Sequence, residues 1–226
     1  MSVSNVLHKC ALGAAFALLL AISANAQQSR VADVAERVDR YYNSLQSLQA
    51  EFAESYRGGG LERAEGGTLW LKQPGKMRWE YRLPAEKLFV SDGKTAWFYL
   101  PGERQARKAP VKKLDDLRTP LRYLLGHTKL VKEFNGLSFA PDVKASDSGN
   151  VILRGVPKGM EDRVSQVVLE IAPGGQIVRI VLDDADGSTT EFRFSNLQPN
   201  LPLADARFHF TPPLGVEVVE ASDLAP

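Results

Sequence analysis

Residues 69–99 read LWLKQPGKMRWEYRLPAEKLFVSDGKTAWFY. They hold all three tryptophans of the chain, Trp70, Trp79 and Trp97. Turn signals at Pro74-Gly75, Leu83-Pro84 and Asp92-Gly93 divide the stretch into four short strands. In Gln73-Pro74-Gly75-Lys76, proline and glycine sit where a type II turn wants them. Met77, Trp79 and Tyr81 then alternate with Arg78, Glu80 and Arg82, the pattern of a strand with one apolar face. Parity puts Leu69, Leu71, Met77, Trp79 and Tyr81 on that face. Asp92-Gly93 predicts a two-residue hairpin with Leu88 opposite Trp97 and Val90 opposite Thr95. Leu88, Val90, Trp97 and Tyr99 then share one side of the hairpin, against Phe89 and Phe98 on the other. No catalytic set accompanies this apolar surface, which points to a sheet that holds something apolar.

Upstream, Ser29 to about Ser47 reads as an amphipathic helix. Val31, Val34, Val38, Tyr41 or Tyr42, Leu45 and Leu48 recur at three- and four-residue spacing, with Ser29 as N-cap. From Leu48 the period changes to two, and Leu48, Ala50, Phe52 and Tyr56 make one face of a strand that ends at Gly58-Gly59-Gly60. Downstream lies a basic, helix-prone stretch from Arg104 to Arg122, threaded by Leu114, Leu117, Leu121, Leu124 and Leu125. Thr119-Pro120 reads as its helix start and Gly126 as its stop. Strands follow at Val151–Leu153, Val164–Ile171, Gln176–Leu182 and Thr189–Phe194, with turns at Gly174-Gly175 and Asp186-Gly187. Phe208–Phe210 and Val216–Val219 read as two last short strands. Short strands in hairpin order with few helices predict a mainly β fold, an antiparallel sheet that curls, partly or fully closed.

Residues 1–26 have the form of a secretory signal peptide: Lys9, then an apolar run from Cys10 to Ile22, then Ala24-Asn25-Ala26. The expected mature chain is a single domain over residues 27–226. Cys10, the only cysteine, opens the apolar run instead of closing it, so it is not a lipid-attachment site. Without it the mature chain has no disulfide or thiolate chemistry. Losing Lys9 leaves 27 basic side chains against 27 acidic ones. A near-zero net charge argues against a nucleic-acid binder, which must neutralise phosphates. The mature protein is expected to be a soluble monomer.

Candidate chemistry is sparse. His127 and His209 lack partners at metal-ligand spacing. Asp183-Asp184-Ala185-Asp186-Gly187 lacks the later glutamate of a calcium loop and reads as a hairpin turn. There is no G-x-S-x-G and no P-loop. Gly58-Gly59-Gly60 precedes a strand and cradles no phosphate. The reading is of a protein that is not an enzyme and uses no metal or cofactor.

The blocks from Leu69 to Tyr81 (LWLKQPGKMRWEY) and from Leu88 to Tyr99 (LFVSDGKTAWFY) resemble the LolA family of periplasmic outer-membrane lipoprotein carriers. Thr119-Pro120-Leu121, Phe208-His209-Phe210-Thr211-Pro212-Pro213 and Gly215-Val216 match later blocks of that family. The resemblance implies an incomplete, strongly curved antiparallel barrel with a helical lid. It implies a periplasmic chaperone that binds lipoprotein acyl chains, receives them from an inner-membrane ABC transporter (LolCDE) and passes them to an outer-membrane receptor (LolB). The expected lipid cavity is Leu69, Leu71, Met77, Trp79, Tyr81, Leu88, Val90, Trp97 and Tyr99 from the sheet. Val38, Leu45, Leu121, Leu124 and Leu125 join it from the lid side. Gln73 and Pro74 are the expected lid latch and partner contact. The family commonly has arginine before this Pro-Gly turn; Gln73 brings no charge and fewer donors. A carrier of another lipid and a lipoprotein-sensing module are alternatives on the same scaffold.

Overall fold

The computed structural model describes residues 28–111 and 129–221. Helix α1 (28–44) leads into β1 (Ser47–Gly58), β2 (Leu61–Lys72), β3 (Lys76–Leu83), β4 (Lys87–Ser91), β5 (Thr95–Tyr99) and β6 (Gln105–Pro110). Then come α2 (Leu130–Glu133), β7 (Phe134–Phe139), β8 (Val151–Pro157), β9 (Val164–Ile171), β10 (Ile177–Asp184), β11 (Thr189–Pro199) and β12 (Glu217–Glu220). All twelve strands join one sheet, in the order β12-β6-β5-β4-β3-β2-β1-β11-β10-β9-β8-β7. Among the described residues β12 and β7 remain unpaired edges, so the barrel is open. Every pairing is antiparallel except β12 with β6.

Curvature is visible in one set of rings. Trp79 on β3 and Phe192 and Phe194 on β11 stand three strand spacings apart, about 14 Å on a flat sheet. Their ring centroids lie only 6.0 and 6.4 Å apart, so the sheet bends toward this face, here called the inner face.

Helix α1 packs on the inner face because its apolar positions follow the helical period. Val31, Val34, Ala35, Val38 and Tyr42 are all buried, as is Leu45 just past the helix end, while Glu36 and Arg40 pair across one turn in solvent. Tyr42, not Tyr41, is the inward ring, and its hydroxyl accepts the Ile177 N–H at 3.0 Å. Burial pushes its pKa up, against the lowering effect of that bond. Residue 28 is already helical, so Ser29 lies inside the helix and is not its N-cap.

Three local expectations are corrected. The basic stretch starts as strand β6, where fully buried Ala106 and Ala109 flank Arg107 and Lys108. Each of the two cations lies over a ring of β5, Phe98 and Trp97 respectively. The predicted helix start at Thr119-Pro120 and its stop at Gly126 fall outside the described residues. Phe208–Phe210 is not a strand: Asp205–Phe208 is a 3-10 turn, and the alternation comes from laying one segment over a sheet. In the β4–β5 hairpin, Asp92 Oδ1 accepts the N–H groups of both Lys94 and Thr95 at 2.8 Å. That centres the loop on Gly93-Lys94, with Gly93 at φ +91°, and pairs Leu88 with Tyr99 and Val90 with Trp97.

The outer face of β8–β10 is covered by the loop 140–150. Glu170 is fully buried there. It accepts hydrogen bonds from the Ser146 N–H (2.6 Å), the Ser146 hydroxyl (2.5 Å) and Asn150 (2.8 Å), and pairs with Arg179 Nε at 2.8 Å. Burial alone would raise its pKa, but these donors outweigh it and hold the carboxyl at about 2. A depressed pKa stabilises the fold above the ordinary carboxylate value, and the gain disappears as pH falls toward the folded value. Glu170→Gln should therefore cost about 3 kcal/mol at neutral pH, and about half of that near pH 3. Urea unfolding of both proteins at the two pH values checks this.

Candidate functional site

The β1–β2 ladder is unbroken from Ser47–Lys72 to Gly58–Leu61, and β3 continues it with Leu71–Met77, Leu69–Trp79 and Gly67–Tyr81. Leu69, Leu71, Trp79, Tyr81, Val38 and Leu45 are all buried in one cluster on the inner face, with Met77 half-buried against it. Phe52 meets Trp79 and Tyr81 edge-on at 4.6 and 4.9 Å. Phe192 and Phe194 complete the aromatic wall, stacked 6.4 Å apart. Such edge and offset contacts add about 0.5–1.5 kcal/mol per pair beyond the area they bury.

Gly67 lets this wall close. A Cβ there would come 1.8 Å from the Glu80 carbonyl oxygen, because β3 approaches closely at the bulge between Gly66 and Gly67. With no side chain between them, the Phe52 and Tyr81 rings meet across this position. The Tyr81 hydroxyl donates to Glu54 Oε2 at 2.9 Å. Burial, then the Glu54 charge, raise the Tyr81 pKa, so it stays protonated as the donor. Burial likewise raises that of Glu54, against the lowering effect of the Tyr81 bond.

Four residues expected with this set lie elsewhere. Trp79 pairs with Phe89 and Arg78 with Val90, so the register carries Phe89 and Phe98 to the inner face. Leu88, Val90, Trp97 and Tyr99 go to the outer face with Trp70 and Arg78. They have their own cover there. Phe210 packs on Trp97 and Tyr99 at 5.5 and 5.4 Å, and Arg207 lies over Trp70 at 4.7 Å. Lys72 Nζ donates to the Leu203 carbonyl and to Asp205, both at 2.6 Å, while Lys76 reaches Asp205 at 2.8 Å. These two ammonium groups hold the Asp205 carboxyl at about 2. Arg78 donates to the Arg207 carbonyl at 3.0 Å. The C-terminal segment is thus a strap across β2–β5.

Leu121, Leu124 and Leu125 lie outside the described residues. Gln73 and Pro74 sit in the β2–β3 turn, whose Gln73 N–H donates to the Gln46 carbonyl at 2.9 Å at the α1–β1 junction. Phe52, Phe89, Phe98, Phe192 and Phe194 were missing from the expected set. Their alternation is visible in the chain, but assigning it a face requires the register between strands. An open groove of about 490 Å³ lies on the outer side of the bulge, beside Ala53, Arg82 and Arg193. The inner face is closed in this structure, with Leu69 and Trp79 only 0% and 3% exposed.

Against known families, residues 43–211 match the model described as outer membrane lipoprotein carrier protein LolA. The chain belongs to the LolA family. An outer-membrane lipoprotein carrier protein of Bordetella avium is 35% identical over 207 residues, 89% of this chain and 94% of that protein. One of Dechloromonas aromatica is 29% identical over 219 residues, 95% of this chain and 98% of that protein. A solved LolA superfamily structure from Nitrosomonas europaea superposes with a TM-score of 0.44 at 14% identity, covering 79% of this chain and 96% of that one.

The strap explains why this LolA-family chain hides apolar residues on both faces. Phe208, 1% exposed, anchors it. Phe208→Ala should cost about 3–5 kcal/mol and release the segment to trypsin at Arg207. Thermal unfolding and timed proteolysis measure both effects.

Proposed function

We propose that this protein is a periplasmic lipoprotein carrier that shields the acyl chains of its cargo on the inner face of the open barrel. The family match over most of the chain carries this reading. The single apolar inner face, built from β1–β5, β9–β11 and α1, supports it. Residues 1–26 act as the export signal. Cargo arrives from an inner-membrane ABC transporter of the LolCDE type and leaves to a LolB-type receptor. The work is binding and release, with no covalent step, no enzyme activity and no cofactor.

The energetics fit a shuttle. Each methylene removed from water is worth about 0.8 kcal/mol, so unshielded acyl chains would drive aggregation. The same surface that shields cargo is buried without it. Cargo and the cover of the inner face therefore compete for the same rings, and the competition makes release possible. Leu121, Leu124 and Leu125 are proposed as part of that cover, with Gln73 and Pro74 as its latch.

The test contrasts two tryptophans. Trp79→Leu should weaken binding of a triacylated lipopeptide about tenfold, since losing about two methylenes' worth of apolar contact costs about 1.6 kcal/mol. Trp97→Leu, on the outer face, should leave affinity within about twofold. Circular dichroism checks both folds. Equal losses, or none in either protein, would overturn the inner face as the binding surface.

The latch has its own test. A charged donor bonds more strongly than a neutral one, about 1.5–3 against about 1 kcal/mol. Gln73→Arg should favour the covered state, lower affinity for an apolar dye and speed transfer to the receptor. Unchanged affinity and transfer would remove Gln73 from the latch.

A further inference from the structure

Along β1–β3 the inner face is apolar only to a definite depth, while β9–β11 stay apolar past it through Leu182 and Val167. Its layers, one pleat apart, run Leu48–Leu71, then Ala50–Leu69–Trp79, then Phe52–Gly67–Tyr81. The next cross-strand pair is Glu54–Glu65. Both carboxylates are buried, at 5% and 7% exposure. Lys87 Nζ pairs with Glu65 at 2.5 Å and lies 4.9 Å from the Tyr81 ring centroid. Arg63 reaches Glu65 at 3.2 Å and Glu54 at 3.9 Å from a position 42% exposed. Two cations thus match two anions, and the Tyr81 hydroxyl bonds to Glu54.

We propose that the Glu54–Glu65–Lys87–Arg63 cluster, with Tyr81 in front of it, is the floor of the acyl-binding cleft and sets the chain length the carrier accepts. This rests on the carrier reading above. From Leu71 to Gly67 is four residues, about 13 Å of strand. A membrane acyl chain spans about 15 Å, half the hydrocarbon thickness of a bilayer. On the β1–β3 wall the apolar depth and the chain length therefore agree. Pushing further would separate buried ion pairs and strand their charges, which is strongly unfavourable. The charges balance, with Glu65 Oε2 held by the Arg63 ion pair and not by a hydrogen bond, so the cluster presents a net-neutral wall to the methyl end of a chain.

The experiment measures binding of synthetic diacylglyceryl-cysteine peptides whose saturated chains run from lauroyl to behenoyl. With the natural protein, affinity should rise about fourfold per methylene and then level off. A variant carrying Glu54→Leu, Glu65→Leu, Lys87→Leu and Tyr81→Phe removes the cluster as a unit, which avoids a stranded buried carboxylate. Arg63 can turn into solvent. The levelling-off should move to longer chains, with the longest peptide bound about tenfold or more tighter than by the natural protein. An identical profile in both proteins overturns the floor and leaves the carrier reading standing. No binding of any peptide by either protein overturns the carrier reading, and the floor with it. Should the variant not fold, the natural protein still decides the matter: a palmitoyl chain with a photoreactive terminal carbon should label the peptides holding Phe52–Glu54 and Tyr81. Labelling confined to Leu45–Leu48 overturns the proposal.

Discussion

The pairing of β1 with β2 governs everything else in this molecule. Twelve consecutive residues of each strand are matched without a slip. A register shift of one residue would turn Leu48, Phe52, Leu69 and Leu71 out to solvent and bring Gln49, Glu51, Thr68 and Trp70 in. The ladder therefore defines which side of a twelve-stranded sheet is the inside. β3 and β11 inherit their parity from it, and the rings of Trp79, Phe192 and Phe194 can then meet across two intervening strands. The bulge at Gly66-Gly67 is its one elaboration. It draws β3 in so closely that no side chain fits at Gly67, and it lets Phe52 and Tyr81 touch.

Both faces of the sheet bury apolar side chains, by different means. The inner face is covered by α1, whose five buried positions repeat at helical spacing. The outer face is covered in two patches by irregular chain. One is the loop 140–150, held by three of its donors on the buried carboxylate of Glu170. The other is the C-terminal strap, held by Lys72, Lys76 and Arg78 and by Phe210 against Trp97 and Tyr99. Ionic anchors suit covers of this kind: irregular backbone supplies few ladder hydrogen bonds, and charge-assisted bonds are the stronger ones. The two faces are thus secured by different chemistry.

Much of the architecture was legible in the chain. The helix near residue 29, the alternation of Met77, Trp79 and Tyr81, the strand Val164–Ile171 and the turns at Gly175 and Gly187 follow from local period and turn chemistry. These depend on neighbours a few residues away, which the sequence displays directly. The family resemblance rests on the same local blocks, and residues 43–211 match the family model. The placement of Leu69, Leu71, Trp79 and Tyr81 on one face follows because β2 and β3 are joined by a three-residue turn that transmits parity.

The sequence by itself determined the period of β1, β3 and β9, most of the turns, the apolar stripe of α1 and the family. Only the tertiary structure decided which of two apolar faces looks inward. Leu88, Val90, Trp97 and Tyr99 are as apolar as Phe89 and Phe98, and within an isolated hairpin the two sets are equivalent. The equivalence is broken by the pairing of Trp79 with Phe89 across β3 and β4, and by a strap that arrives from more than a hundred residues away to cover Trp97 and Tyr99. The charged end of the inner face was hidden for the same reason. Glu54, Glu65, Tyr81 and Lys87 come from four strands, and a cluster of charges spread so widely along the chain has no local pattern to reveal it.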